Sequence, residues 1–136
     1  MSPLPPTDRE PPVMDQRFRT HERIKDPADF RRAFDRKRSA SDASIIVYGV
    51  ENGLDHARLG LSVSKKRVRK AFARNRVKRL LREAFRLNKS AMPVGVDLVI
   101  VPRGPELRFE EAMRSLPELA HAVARRLRPP AAKAVP

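Results

Sequence analysis

The segment SKKRVRKAFARNRVKRLLREAF, residues 64–85, concentrates the chemistry of this chain. From Lys65 to Arg86 there are eleven Lys or Arg against a single acid, Glu83, a net +10 of the formal +14 carried by all 136 residues. Surface helices ordinarily mix charge signs to limit repulsion, so cations at this density point to an anionic partner. Arg brings planar, bidentate hydrogen bonding to phosphate, and Lys a compact point charge. Asn75, set between Arg74 and Arg76, both donates and accepts toward bases or 2′-hydroxyls. Each cation that meets a phosphate releases condensed counterions, which makes affinity for a nucleic acid steeply salt-dependent.

Groups that make and break bonds are sparse by comparison. The absence of Cys removes disulfides, thiolate metal sites and thiol nucleophiles together. His21, His56 and His121 stand singly, without metal-ligand spacing. The five Gly form no phosphate-cradling loop. PAD at 27–29 with DRK at 35–37 is faintly similar to a nuclease PD…(D/E)xK pattern, but it falls inside and just after a predicted helix rather than on adjacent strands. With one Tyr, six Phe and no Trp, each ring counts. By pattern alone Phe30 and Phe34, four apart, read as core. Tyr48 is the stronger stacking candidate, because its strand face looks toward Ser62 and Ser64 and suits an extended single strand. Any reaction this protein serves takes its chemistry from the partner.

These residues need elements to hold them. Asp26, Pro27 and Asp29 write a helix start resembling a capping box, and Phe30, Ala33 and Phe34 share a face of the helix that follows. SIIVYGV is β-branched and aromatic, a strand in which Ile46, Tyr48 and Val50 oppose Ile45, Val47 and Gly49. Asn-Gly in ENGLDH predicts a hairpin to ARLGLSVS. In that strand Leu59, Leu61 and Val63 face one way, and Arg58, Gly60, Ser62 and Ser64 the other. Val77, Leu80, Leu81, Ala84 and Phe85 then recur at helical spacing. Asn75, Arg76, Lys78, Arg79, Arg82 and Arg86 fill the opposite arc. One stripe anchors this helix and the other is a rigid cationic surface. VGVDLVIVPR reads as a buried strand. A last helix carries Phe109, Ala112, Met113 and Leu116, then Ala120, Val123 and Leu127, with a kink or break at Pro117 where Ser115 and Glu118 cap a restart. The order is that of an α+β domain whose β-α-β crossover carries the basic helix.

A hydrophobic fraction of 40% supports one core, and a pI near 11.4 favours nucleic acid or an anionic membrane. A membrane-surface helix needs a large exposed apolar face, whereas the apolar positions here are used by a core. No stretch approaches the length of a membrane span, and a cytoplasmic protein is expected. Residues 1–21, rich in Pro, read as a flexible leader, 22–127 as the domain and 128–136 as a flexible tail.

The ordered series RLGLSVSKKRVRKAFARNRVKRLLREAFR resembles the signature of the protein subunit of bacterial ribonuclease P. LGLSVSKK resembles the family's strand with its Lys-Lys turn, and ARNRVKRLLREAFR its Arg-Asn-Arg helix. ADFRRAF matches the first-helix pattern of two Phe four apart, IIVYGV the Tyr-bearing strand and DLVIVPRG the fourth strand. The resemblance covers residues 22 to 127. It departs in DRKRSA, which lacks the Gly of many relatives, at Pro117, and in the Pro-rich start.

The resemblance implies an α-β-β-β-α-β-α sandwich with a mixed sheet, ribosomal-protein-like, with a short extra strand near Arg38 to Ala40. It also implies a left-handed β-α-β crossover, where the general rule predicts a right-handed one. The implied function is removal of 5′ leaders from precursor tRNA, as subunit of an endoribonuclease whose RNA subunit catalyses with Mg²⁺. A 1:1 assembly of the protein with ribonuclease P RNA is expected. Carried over by residue, Arg74, Asn75, Arg76, Lys78, Arg79 and Arg82 face the RNA subunit, with Lys65, Lys66, Arg69 and Lys70 from the preceding turn. Phe30, Phe34, Ile46, Tyr48, Ser62 and Ser64 line the cleft for the single-stranded leader. No residue is assigned a catalytic role, and no metal ligand is assigned. A ribosomal or chaperone-like RNA-binding protein would share the charge without leader dependence. A stand-alone nuclease would depend on an acid such as Asp29. A DNA-binding helix lacks a dimer seam here.

Overall fold

In the computed structural model, which describes residues 18–127, the first helix begins as its sequence dictates. Asp26 Oδ1 accepts from Ala28 N at 2.9 Å and Pro27 takes the first position of α1 (Pro27–Arg36). Asp29 does not complete a capping box; its carboxylate turns to Arg58 (3.4 Å) and Arg32 (3.9 Å). The helix ends at Lys37, which holds φ 59°, ψ 28° and donates its N–H to Phe34 O. This is the left-handed cap usually given to Gly, and it accounts for the turn in DRKRSA despite the missing glycine.

Four strands follow: β1 (Ser39–Ser41), β2 (Ile45–Glu51), β3 (Arg58–Leu61) and, after helix α2 (Ala71–Leu87), β4 (Val96–Pro102). Helix α3 (Phe109–Leu127) closes the order. The strands lie β1-β2-β4-β3, antiparallel except for the parallel β3–β4 pair joined through α2.

The expected hairpin between β2 and β3 does not form, because β4 lies between them. Gly53 does take φ 69°, as a tight turn requires. The side chain of Asn52 redirects the chain, however: Nδ2 donates to His56 O (3.2 Å) and to Asp97 Oδ1 on β4 (2.9 Å), and Oδ1 accepts from Leu54 N (2.8 Å). The turn is thereby tied to β4 rather than to its own hairpin partner.

The two strand faces separate as alternation predicts. Ile45 and Val47 of β2, Leu59 of β3 and Leu98 and Ile100 of β4 pack against Val77, Leu81 and Phe85 of α2 and Leu116, Ala120 and Val123 of α3. On the other face α1 lays Ala33 over Val50 and Val99, with Phe30, Phe34 and Tyr48 half-buried at its margin. Burying Val77, Leu81 and Phe85 contributes about 1.5–3 kcal/mol each. Like charges on the exposed arc repel by less than about 1 kcal/mol per pair once they stand beyond 4 Å in water. Apolar anchoring therefore holds the cationic face in place.

Pro117 does not break α3, which runs through it. Ser115 is buried and donates to Asp42 Oδ2 (2.5 Å) instead of capping a restart. Pro117 has no N–H for the carbonyl of Met113, and Asn88 Nδ2, beyond the end of α2, approaches that carbonyl at 3.5 Å. Packing of Leu116, Leu119, Ala120 and Val123 spans the site on both sides and carries the helix across it. At the start of the described chain, Phe18 sets its ring edge-on to Phe85 (5.4 Å) and Glu22 is buried against Lys89 (2.9 Å), so packed structure extends upstream of residue 22. The leader up to Arg17 and the tail from Arg128 lie outside the described residues.

Candidate nucleic-acid interface

The basic surface is built in two parts. Residues 62–70 form a turn pinned by the fully buried Val68, with Val68 N donating to Ser64 O (3.0 Å) and Arg67 N to Ser64 Oγ (3.2 Å). This holds Lys65, Lys66, Arg67, Arg69 and Lys70 exposed in one short arc. Arg74 locks that arc to α2, donating from Nη1 to Val68 O (3.1 Å) and Arg69 O (2.9 Å). Arg76 reaches the other way, its Nη2 donating to Pro105 O (2.6 Å) and Leu107 O (3.0 Å). The two arginines of the Arg-Asn-Arg motif thus use their guanidinium groups to brace the surface, while Asn75, Arg79 and Arg82 stand exposed and Lys78 half-buried. Among the described residues none of Lys65, Lys66, Arg67, Arg69, Lys70, Arg74, Arg76, Lys78, Arg79 and Arg82 pairs with a carboxylate; Glu83, the acid on α2, is taken by Arg86 (2.5 Å).

The second part lies between α1 and the outer sheet face. Phe34 meets Tyr48 edge-to-face at 4.8 Å and 68°. Phe30 lies over Gly60, where a Cβ would be 2.8 Å from the ring. Ile46 pairs across the sheet with Val101, both half-buried on the same face as Tyr48. Ser62 continues the β3 pairing, its N–H donating to Ile100 O (3.0 Å). Five of the six residues assigned to the leader cleft thus stand on α1, β2 and the end of β3. Ser64, exposed, uses its hydroxyl to hold the basic turn.

The two parts meet. A surface cavity of about 290 Å³ is lined by Phe30, Gly60 and Leu61 on the cleft side and by Lys78 and Arg82 of α2, with Arg23 and Lys25 closing its rim. Arg23 and Lys25 were missed by reading motifs; the signal was the pair of cations flanking Ile24 just before the α1 cap.

Under the cleft lies a charge cluster that the apolar appearance of β4 conceals. Asp97 is fully buried. Arg58 grips it with two bonds, Nε to Oδ1 (2.7 Å) and Nη2 to Oδ2 (2.6 Å), while Asn52 adds a third and Arg32 stands at 3.6 Å. Burial alone would raise the carboxyl's pKa; the hydrogen bonds from Arg58 and Asn52 outweigh it and hold the group below its usual range. The cluster fixes α1 against the sheet through Asp29, Arg32 and Arg58.

A sequence model described as Ribonuclease P matches residues 18–124. The chain belongs to the ribonuclease P protein family. The ribonuclease P protein component of Pseudomonas putida is 43% identical over 91 residues, covering 66% of this chain and 68% of that one. That of Methylococcus capsulatus is 39% identical over 107 residues, 76% and 82% of the two chains. Among solved structures, the Staphylococcus aureus RNase P protein superposes with a TM-score of 0.65 at 33% identity, over 79% of this chain and 98% of that one. The Thermotoga maritima RNase P protein does so with 0.62 at 32%, over 79% and 99%. The α+β fold with its mixed four-stranded sheet is that of the ribonuclease P protein, and membership makes the chain a subunit of an endoribonuclease acting in tRNA processing, with an RNA partner. Among the described residues no helix is long and apolar enough to cross a membrane.

Proposed function

We propose that this ribonuclease P protein binds the catalytic RNA subunit through α2 and the Lys65–Lys70 turn, and holds the 5′ leader of precursor tRNA in the cleft between α1 and β2. The observation that carries this is the junction of Lys78 and Arg82 with Phe30 and Gly60 in one cavity, which makes the cationic surface and the aromatic cleft continuous. An extended single strand finds stacking surface from Phe30, Phe34 and Tyr48 and phosphate partners from Arg23, Lys25, Lys78 and Arg82. The RNA subunit faces the outer arc with Lys65, Lys66, Arg69, Lys70, Asn75 and Arg79, on a frame set by Arg74 and Arg76.

On this reading the protein's role is positional. It screens phosphates and holds the leader in register, while the RNA subunit carries catalysis with its Mg²⁺ in a 1:1 assembly in the cytoplasm. The protein's own carboxylates beneath the cleft do not fit a metal site: Asp97 and Asp29 are committed to Arg58 and Arg32. The discriminating test is the affinity of the assembled enzyme for precursor and mature tRNA. Tyr48→Ala is expected to weaken the leader-bearing precursor by about 5- to 150-fold, one stacked base's worth, and to leave mature tRNA unchanged. Equal losses for both would sink the cleft assignment.

A further inference from the structure

Phe72, in the first turn of α2, is 71% exposed, which leaves its ring almost wholly outside the core. It sits in a surface cavity of about 530 Å³ whose walls are Lys66, Arg67, Arg69, Lys70 and Arg76, with Ala73 and Pro105. The Lys70 ammonium stands 5.9 Å from the ring centroid, at the outer limit of a cation–π contact. Arg76 donates from Nη2 to Pro105 O and Leu107 O, which ties this wall of the cavity to the Pro105–Leu107 segment.

These features select the ligand's chemistry. An apolar protein surface laid on Phe72 would strip water from five cations without supplying anions, a large desolvation cost. A double helix offers phosphates but keeps its bases stacked on one another. An unpaired nucleotide offers both, a flat ring for Phe72 and phosphates for its neighbours. We propose that Phe72 is a stacking platform for an unpaired base of the RNA subunit, with Lys66, Arg69 and Lys70 holding the flanking phosphates. This rests on the RNA-subunit reading of α2 and adds to it a specific, non-ionic contact.

The test uses the full-length protein and ribonuclease P RNA, with affinity measured across a salt series for wild type, Phe72→Ala, Phe72→Trp and Arg79→Ala. Phe72→Ala is expected to weaken binding by about 5- to 150-fold. Its melting temperature and the slope of log affinity against log salt should stay unchanged, since neither packing nor a phosphate contact is lost. Phe72→Trp is expected to bind at least as tightly as wild type. The chain has no Trp of its own, so that variant's indole is a sole reporter, and its emission should be quenched and shielded from iodide by the RNA. Affinity of Phe72→Ala within twofold of wild type, or an indole that stays open to iodide in the complex, overturns the proposal. If Phe72→Ala binds normally while Arg79→Ala is weakened, stacking fails and the RNA-subunit reading stands. If the wild type itself does not bind this RNA, both fall.

Discussion

Phe30 lies directly over Gly60: a Cβ at residue 60 would stand 2.8 Å from Phe30 Cε1 and 3.2 Å from Ile24 Cβ. The glycine is what lets α1 approach the sheet closely enough for Phe30 to form a wall of the cleft. Gly60→Val is therefore expected to displace Phe30, destabilise the domain by about 1–3 kcal/mol through overpacking, and weaken binding of leader-bearing precursor more than of mature tRNA. Urea unfolding together with the two tRNA affinities checks this. Wild-type values in all three would show that the close approach is dispensable.

Removing Arg58 should be among the costliest single changes in the chain. It would leave the buried Asp97 with only Asn52 and the more distant Arg32, and Arg58→Ala is expected to cost about 3 kcal/mol, the lower end of the range for breaking a buried pair. The pH dependence follows from the same group. The folded pKa of Asp97 is lowered, so its contribution is fully present above the unfolded value near 3.9 and is lost as pH falls through the lower folded value. Denaturation midpoints measured from pH 7 to pH 3 should fall below about pH 4 in the wild type and fall less steeply in Asp97→Asn. Parallel curves would mean that Asp97 is not held as an anion.

Lys37 occupies a left-handed conformation, φ 59°, that costs a non-glycine residue roughly 1–2 kcal/mol. Part of that gain is offset by the greater freedom of Gly in the unfolded chain. Lys37→Gly is expected to stabilise the domain by about 0.5–1 kcal/mol, read as a higher urea midpoint with an unchanged m-value. A lower midpoint would show that the Lys37 side chain supplies more than the cap.

On α2, the exposed and the bracing cations should behave differently. Arg79→Ala is expected to reduce the salt slope of RNA-subunit binding by about one, and Arg82→Ala that of leader-bearing precursor binding, with the melting temperature unchanged in both. Arg76→Ala should lower affinity and also loosen the Pro105–Leu107 segment, seen as faster amide exchange there. Identical behaviour of all three variants would contradict the division of roles.

Much of this was legible in the residues because local patterns and tertiary packing agree. The alternation in IIVYGV and ARLGLSVS separated the core face from the cleft face, and the Val77–Phe85 spacing set which side of α2 is cationic. The failures lie where a single side chain reaches across the sequence. Asn-Gly specifies a turn but not its partner strand, and Asn52 bonds to Asp97, 45 residues away. Pro117 removes a local bond, but the apolar contacts of α3 outweigh it. The apolar run VGVDLVIVPR reads as a buried strand without showing how Asp97 is accommodated in it, because its partner, Arg58, lies 39 residues earlier. Arg74 and Arg76 are similar: spacing places them on the basic surface, and only the fold shows them bound to backbone carbonyls.

The most direct test of the central claim is cleavage of precursor tRNA at low Mg²⁺ by a bacterial ribonuclease P RNA, with and without this protein, on substrates with long and very short 5′ leaders. The account predicts protein-dependent cleavage that favours the long leader. Equal stimulation of both substrates, or none with a properly folded cognate RNA, would contradict it.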